Sequence, residues 1–300
     1  MGTLVTGATD ELTIESYRMR IADIRDVELE QLHALSMAVR WPHRGADWEM
    51  LRGFGQGLAA CDEIGRVFAT AMWFDHGDDF ATMGMLITSP RLQTHGAGRW
   101  LMEHVIARTR PRRLGLNATR PAMPLYRSMG FKVEATVFQC QGEALAPPRV
   151  EAPGALRRVR AGDAAAVLAL DREAFGADRL RLLELLLPQS TGLVLERGGD
   201  VVGYALCRPF GRGHVIGPLV ARNDEDAAAL ASPLIAEHAG SFVRLDTRNE
   251  TGPFAELLVR SGLPVFDTVT TMSLGPGPWL RTPDAGGTPR VYGLASHALS

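Results

Sequence analysis

The chain has 300 residues, enough for two domains at about 150 residues each. Apolar residues make up 46% and charged residues 22%, and the formal net charge is −2, so nothing electrostatic draws it to nucleic acid or to an anionic membrane. No stretch approaches the roughly 20 apolar residues of a membrane span, and the opening MGTLVTGATDELTIESY lacks the basic start and apolar run of a signal peptide. Cys61, Cys140 and Cys207 lie far apart and show no metal-ligand spacing, so the expectation is a soluble cytoplasmic protein without a bound metal.

Residues 1–16 are polar and rich in Thr and Gly and read as a disordered tail. Tyr17–Ile21 then predicts a strand. Asp23 is a cap for a helix whose Ile24, Val27, Leu32, Leu35 and Val39 fall near helical spacing, and Trp41–Pro42 ends it. His43–Gly57 is mixed. Two strands, Val67–Phe74 and Phe80–Thr88, flank the turn residues His76-Gly77-Asp78-Asp79. A helix over Ala97–Thr109, a strand over Arg113–Ala118, a short helix over Pro124–Met129 stopped by Gly130, and a strand over Phe131–Gln139 complete a mixed α/β layout around one sheet.

The Pro-rich stretch Glu143–Gly154 suits a linker, and after it the first pattern returns. Met19–Asp23 matches Val159–Asp163, Gly65–Ala69 matches Gly199–Gly203, Met85–Thr88 matches Pro218–Ala221, and Arg127–Phe131 matches Val259–Leu263. The four offsets are 140, 134, 133 and 132, in order and slowly shrinking, as loop deletions in a second copy would produce. The chain is therefore expected to be a tandem repeat: 17–143, a linker over 144–154, a second copy over 155–275, and a tail over 276–300.

The segment that carries chemistry is Leu86-Ile-Thr-Ser-Pro-Arg-Leu-Gln-Thr-His-Gly-Ala-Gly-Arg99, a Q-x-x-G-x-G run between a strand and a helix. Glycines at 96 and 98 let the backbone turn tightly and approach a ligand. The N–H groups of Thr94–Arg99 then sit at a helix start, where unpaired donors and the positive dipole end favour a diphosphate. No acid lies between Thr88 and Leu101. The run is neither a Rossmann fingerprint nor a P-loop, since the third glycine and a Gly-Lys-Ser/Thr are both missing.

Farther along stands Asn117-Ala-Thr-Arg-Pro-Ala-Met-Pro-Leu-Tyr126-Arg-Ser-Met-Gly130-Phe131. Together the two segments resemble motifs A and B of the GNAT superfamily of N-acetyltransferases, over roughly residues 18–141. The resemblance implies two GNAT-like domains, each a twisted, mostly antiparallel sheet flanked by helices. It also implies acetyl-CoA as the cofactor: its pyrophosphate on Gln93, Thr94, His95, Gly96, Ala97, Gly98 and Arg99, its pantetheine arm paired along Leu86, Ile87 and Thr88, and Thr119 in a position where many members carry Asn. Tyr126 would sit near the thioester sulfur and serve as the catalytic acid. No cysteine lies in either motif, so direct acetyl transfer to an amine, of a small molecule or of a protein or peptide, is the implied reaction; the alternative is a non-catalytic acyl-CoA-binding or sensing protein.

A base is also needed to deprotonate an ammonium. The strand Phe80–Thr88 contains no acid, which leaves His43, Asp47, Glu49, Asp75 and His76 as candidates, and Trp41, His43, Trp48 and Asp75 as an acceptor pocket. In the second copy Arg222-Asn-Asp-Glu-Asp226 replaces the glycine run, and Leu258 stands opposite Tyr126, so that copy is expected not to bind CoA productively. Its Arg208 or Arg212 could reach an acceptor carboxylate. Exposed sheet edges leave a homodimer open.

Overall fold

The computed structural model describes residues 10–14, 17–93, 95–280 and 287–300. In the first half, β1 (Glu11–Ile14) and β2 (Tyr17–Asp23) precede α1 (Leu29–Ala38) and α2 (Gly45–Phe54). There follow β3 (Gln56–Cys61), β4 (Val67–His76), β5 (Phe80–Thr88), α3 (Ala97–Thr109), β6 (Arg113–Ala118), α4 (Met123–Ser128) and β7 (Lys132–Glu143). The second half runs β8 (Ala155–Arg158), α5 (Ala164–Phe175), α6 (Leu180–Leu186), β9 (Thr191–Arg197), β10 (Asp200–Phe210), β11 (Gly213–Ala221), α7 (Asp224–Ala236), β12 (Phe242–Thr247), α8 (Pro253–Arg260) and β13 (Val265–Leu274). From β2 to β7 and from β8 to β13 the order of strands and helices is the same. Only β1 and β14 (Arg290–Gly293) lack a counterpart.

Two compact units result, residues 1–75 with 83–112 and residues 76–82 with 113–300. In the first, β1 to β4 lie in chain order and pair antiparallel, with β2 meeting β3 from Arg20↔Cys61 to Asp23↔Leu58 and β3 meeting β4 from Gln56↔Trp73 onward. Leu32, Leu35, Trp48, Leu51 and Leu101 are buried in this unit. Each such side chain contributes about 1.5–3 kcal/mol relative to exposure.

In the second unit the strands run β6-β13-β7-β12-β11-β10-β9-β8, with β14 added to β11. The two copies have exchanged their last strands. β13, from the rear copy, lies between β6 and β7 of the front copy, while β7 lies between β13 and β12 of the rear copy. This is why the compact units do not follow the sequence repeat: β6, α4 and β7 are tied into the rear half by backbone pairing on both sides of β13 and β7.

Several elements differ from their sequence expectation. Glu11–Ile14 lies inside the segment read as a disordered tail, yet it pairs with β2 as a short strand. Asp23 does cap a turn, accepting from the Arg25 N–H at 2.8 Å, but the turn stops at Asp26 and Val27 is extended, so α1 begins at Leu29. β3, sequence QGLAAC, falls in the stretch read only as mixed: glycine and alanine carry little strand preference, and its burial from Gly57 to Cys61 erases the alternation that marks a half-exposed strand. Within the tail read over 276–300, of which 281–286 lie outside the described residues, stand β14 and the fully buried Tyr292, Leu294 and Leu299.

The second unit also buries charge. Asp171 and Arg179, both with fully buried side chains, form a two-point ion pair at 2.6 and 2.9 Å, and Tyr204 donates its hydroxyl to the same carboxylate. Removing either partner of such a pair costs about 3–5 kcal/mol, because the other charge is left without compensation. Next to this cluster His76 is enclosed by Phe80 and Phe175, with Nε2 2.9 Å from the Thr82 hydroxyl. Burial first, and the Arg179 charge second, push its imidazole down to about 3.

An unfolded histidine takes up a proton below about 6.5, whereas folded His76 does not until about 3. Stability from this site is therefore complete above pH 6.5 and falls as the pH drops toward 3, with a limiting slope of about 1.4 kcal/mol per pH unit. Urea midpoints at pH 7.5 and 5.0 should separate more for the native chain than for His76→Gln. Equal separations contradict the assignment.

Candidate active site

β5 and the start of α3 belong to the first unit from Met83 onward. Met85 sits in β5 with φ 51°, a left-handed conformation that side chains other than glycine adopt at a cost, and its carbonyl accepts from the buried Thr70 hydroxyl at 2.8 Å. The strain lies immediately before Leu86, Ile87 and Thr88, of which only Ile87 is fully buried. Sequence inspection missed Met85, since a methionine at positive φ has no sequence signature.

After β5 the Ser89 N–H donates to the Phe68 carbonyl at 2.7 Å and a single tight turn covers Pro90–Leu92. The Gln93 amide donates back to the Thr88 carbonyl at 3.2 Å, and His95 Nδ1 lies 2.8 Å from the Gln93 carbonyl, so the His95 ring is committed to the loop backbone. Thr94 lies outside the described residues. Gly96 follows at φ 90°, with open space where a Cβ would stand, and is the N-cap of α3. Gly96 has no side chain with which to cap this helix, and no acid occupies its first turn. The amides of Ala97, Gly98 and Arg99 begin the helix, and Gln93, His95, Gly96 and Arg99 are exposed. This is the electrostatic arrangement that attracts a phosphate.

The rear copy inverts each feature. The N-cap of α7 is Asn223, whose side chain accepts from the Asp226 N–H at 2.8 Å, and the first turn carries Asp224, Glu225 and Asp226. Asp226 is buried and paired with Arg197 at 2.6 Å, so its charge is part of the packing.

Tyr126 and Thr119 belong to the second unit. α4 starts from the Thr119 carbonyl, which accepts from the Ala122 and Met123 N–H groups at 3.0 and 3.1 Å. One turn on, the Tyr126 ring packs edge-on to Phe131 at 5.7 Å between centroids and is 7% exposed. Burial raises its phenol well above the ordinary value, which keeps the proton on the oxygen at neutral pH. At the matching rear position Leu258 is buried and offers no proton.

The other candidates divide sharply. Trp48 is a core residue: it is fully buried and its indole N–H donates to the Ser36 hydroxyl at 2.8 Å, because α1 and α2 close over it. Trp41 and His43 are half-buried, their rings 5.7 Å apart. Asp47 is a buried helix cap that takes the Arg44 backbone and guanidinium at 2.7 and 3.0 Å. Asp75 accepts from Gln56 at 3.0 Å and lies 3.6 Å from Arg112. His76, buried and pushed to about 3, has no basicity to spare near neutrality. Glu49 is exposed.

The two rear arginines differ: Arg212 is exposed and Arg208 is not. Arg208 is buried and donates to the Gly217 and Ala295 carbonyls at 2.9 and 2.7 Å, and the Arg212 guanidinium lies 4.5 Å over the Phe242 ring. A cavity of about 1320 Å³ in the second unit is lined by Glu134, Glu173, Arg222, Arg248, Trp279 and Arg290. Only Arg222 was singled out beforehand. Among the described residues no His, Cys, Asp or Glu gather in a group of three or more suited to a metal, and no helix is long and apolar enough to cross a membrane.

All three cysteines are buried and unpaired, and burial pushes Cys140 and Cys207 up to about 12. Neither supplies a thiolate nucleophile at neutral pH.

Two family models, both described as an acetyltransferase (GNAT) domain, match residues 54–133 and 167–283. They meet the two copies separately. The chain is a tandem member of the GNAT superfamily. It is 27% identical over 184 residues to an uncharacterized N-acetyltransferase, YitH, of Bacillus subtilis; the match covers 60% of this chain and 65% of that relative, so it spans less than two thirds of the relative's length. In fold, this GNAT protein is similar to a provisionally assigned acetyltransferase of Pyrococcus horikoshii (TM-score 0.77, 20% identity, 97% of this chain and 99% of that one). It is also similar to a tandem GNAT protein from the clavulanic acid biosynthesis pathway (TM-score 0.62, 16% identity, 87% of this chain and 99% of that one).

Gly96→Asp should weaken CoA binding more than tenfold by calorimetry, through an acid at the helix start and a strained backbone. Gly96→Asn tolerates the left-handed conformation and adds no charge, so it should stay within about threefold. Unchanged affinity in the Asp variant removes the phosphate role from this turn.

Proposed function

We propose that this GNAT protein transfers an acetyl group from acetyl-CoA directly to a primary amine, using the front copy. The observation that carries the reading is the start of α3, a helix N-terminus whose N-cap is Gly96 at φ 90° and whose first turn holds no acid. Its rear counterpart is capped by Asn223 and loaded with acids. In this reading the pyrophosphate lies on the amides that follow Gly96, with Gln93, Thr94, His95 and Arg99 around it, and the pantetheine arm pairs along Leu86–Thr88 beyond the strained Met85.

The chemistry then needs no covalent enzyme intermediate, consistent with the suppressed acidity of Cys140 and Cys207. The amine nitrogen attacks the thioester carbon, the C–S bond breaks, and the sulfur leaves with the bond pair. Tyr126 donates a hydrogen bond to that sulfur as charge develops, and the proton lost by the amine balances the charge of the departing thiolate. A thiol titrates near 8.5 and a phenol near 10; burial raises Tyr126 further. Its best use is therefore as a hydrogen-bond donor that strengthens as the thiolate forms. For the base, Asp47, Asp75 and His76 are engaged in the fold, and His43, half-buried beside Trp41, and the exposed Glu49 are the groups to test.

The acceptor is a small-molecule, peptide or protein amine. We place the enzyme in the cytoplasm, on the three buried thiols that form no disulfide. One observation favours the second reading, a non-catalytic acyl-CoA-binding protein: β5 carries no acid and most candidate bases are tied into the fold. An acetyl-CoA turnover assay over a mixed amine panel, reading free thiol, distinguishes them.

Where turnover is found, Tyr126→Phe should lower kcat by about 10- to 100-fold with the KM for acetyl-CoA within about twofold. A parallel loss of kcat and affinity would assign Tyr126 to packing against Phe131 instead.

A further inference from the structure

In the rear copy β11 and β12 run side by side only at His214↔Val243 and Val215↔Arg244. Beyond that point a third segment takes the place beside β11. β14 pairs with it antiparallel through Leu219↔Gly293, Val220↔Val291 and Ala221↔Arg290, and the Leu294 N–H donates to the Asp246 carbonyl of β12 at 2.8 Å. The stretch of β11 engaged, Leu219–Ala221, matches Leu86–Thr88 of β5 in the sequence repeat.

We infer that residues 287–300 are a built-in ligand of the rear copy, a strap that pairs with β11 where a coenzyme arm would pair. The comparison with the coenzyme rests on the reading of the front copy given above; the strap itself does not. The rear half then binds its own chain in place of CoA, and the protein takes one coenzyme per chain.

The strap is held along its whole length. Arg222 donates to the Gly287 carbonyl at 2.9 Å, Arg208 to the Ala295 carbonyl at 2.7 Å, and Arg179 to the Ser300 carbonyl. Three backbone carbonyls thus meet three guanidinium groups. The Tyr292 hydroxyl donates to Asp224 at 2.9 Å, and its ring packs edge-on to Phe254 at 5.2 Å. Asp224 is one of the acids in the first turn of α7, where they disfavour an external anion, so the same residue also anchors the strap.

Fit is close enough to require glycine at one point: a Cβ on Gly217 would lie 1.9 Å from the Leu294 carbonyl oxygen. At its far end the strap reaches the strand that leads toward Tyr126. Asn117 of β6 donates its side-chain amide to the His297 carbonyl at 2.8 Å and to the Ser300 hydroxyl at 2.9 Å.

Hydrogen exchange read by mass spectrometry on the full chain tests this. Peptides over 290–299 should exchange slowly, and equally so with and without saturating CoA, while calorimetry counts one CoA per chain. Gly217→Ala should speed exchange over 290–299 at least tenfold by pushing the strap outward. Tyr292→Ala, which empties a side-chain site without crowding the backbone, should do the same if the first variant folds poorly.

Faster exchange of the strap on adding CoA, or two CoA per chain, overturns the inference. So does a strap whose exchange neither variant changes. A chain that binds no CoA, with 93–99 unprotected, overturns the front-copy reading, while the two variants still decide the strap.

Discussion

β13 meets β6 from Thr270↔Ala118 to Leu274↔Leu114 and meets β7 from Val265↔Cys140 to Ser273↔Lys132, so both edges of this rear-copy strand are spent on the front copy. β7 in turn spends its other edge on β12, from Phe242↔Glu143 to Thr247↔Phe138. Neither copy can complete its sheet alone. Val137 of β7 and Val269 of β13 pair with each other and are buried in one cluster with Leu294, which joins the exchanged strands to residues 287–300. Unpaired strand edges are costly in water and prone to association; with the order β6-β13-β7-β12 neither β7 nor β13 is left with a free edge. The exchange also gives each copy a structural role in the other.

The same physics of helix termini accounts for the difference between the copies. A helix start leaves several N–H groups without intrahelical acceptors, and something must meet them. In α7 the Asn223 side chain takes one, and the acids of the first turn suit the dipole while repelling an external anion. In α3 the cap is Gly96, which has no side chain to offer, so an external acceptor is favoured there. A glycine in place of a capping side chain gives up helix-start stability by up to about 1 kcal/mol in one copy.

How far the sequence revealed this depended on which force fixed each element. β5, α3 and β6 carry the boundaries their apolar runs and breakers predict, Phe80–Thr88, Ala97–Thr109 and Arg113–Ala118. The tandem repeat was legible too, because turns need particular residues: Gly130 and Gly262 hold φ 92° and 79° at matching positions. β3 was hidden, since a buried strand of Gly, Leu, Ala and Cys has no alternation to read. The strand exchange was hidden as well, because β13 would bury the same residues in either copy's sheet and pairing partners leave no local trace. At the site, backbone-made features showed through their glycines, whereas the strain at Met85 did not.

The acceptor side resisted for a related reason. A cluster of Trp, His and Asp in a short segment looks like a pocket because such side chains are rarely left on a surface, but folding can use them up in several ways. Trp48 fills the core and spends its N–H on Ser36, and Asp47 spends its charge on capping α2. Asp75 is held by Gln56 and Arg112. What remains is decided by which polar atoms the fold leaves uncommitted, a property of tertiary packing that residue type does not encode. The turn at Gly96 escapes this ambiguity because its form rests on a glycine at φ 90° and not on where neighbouring side chains go.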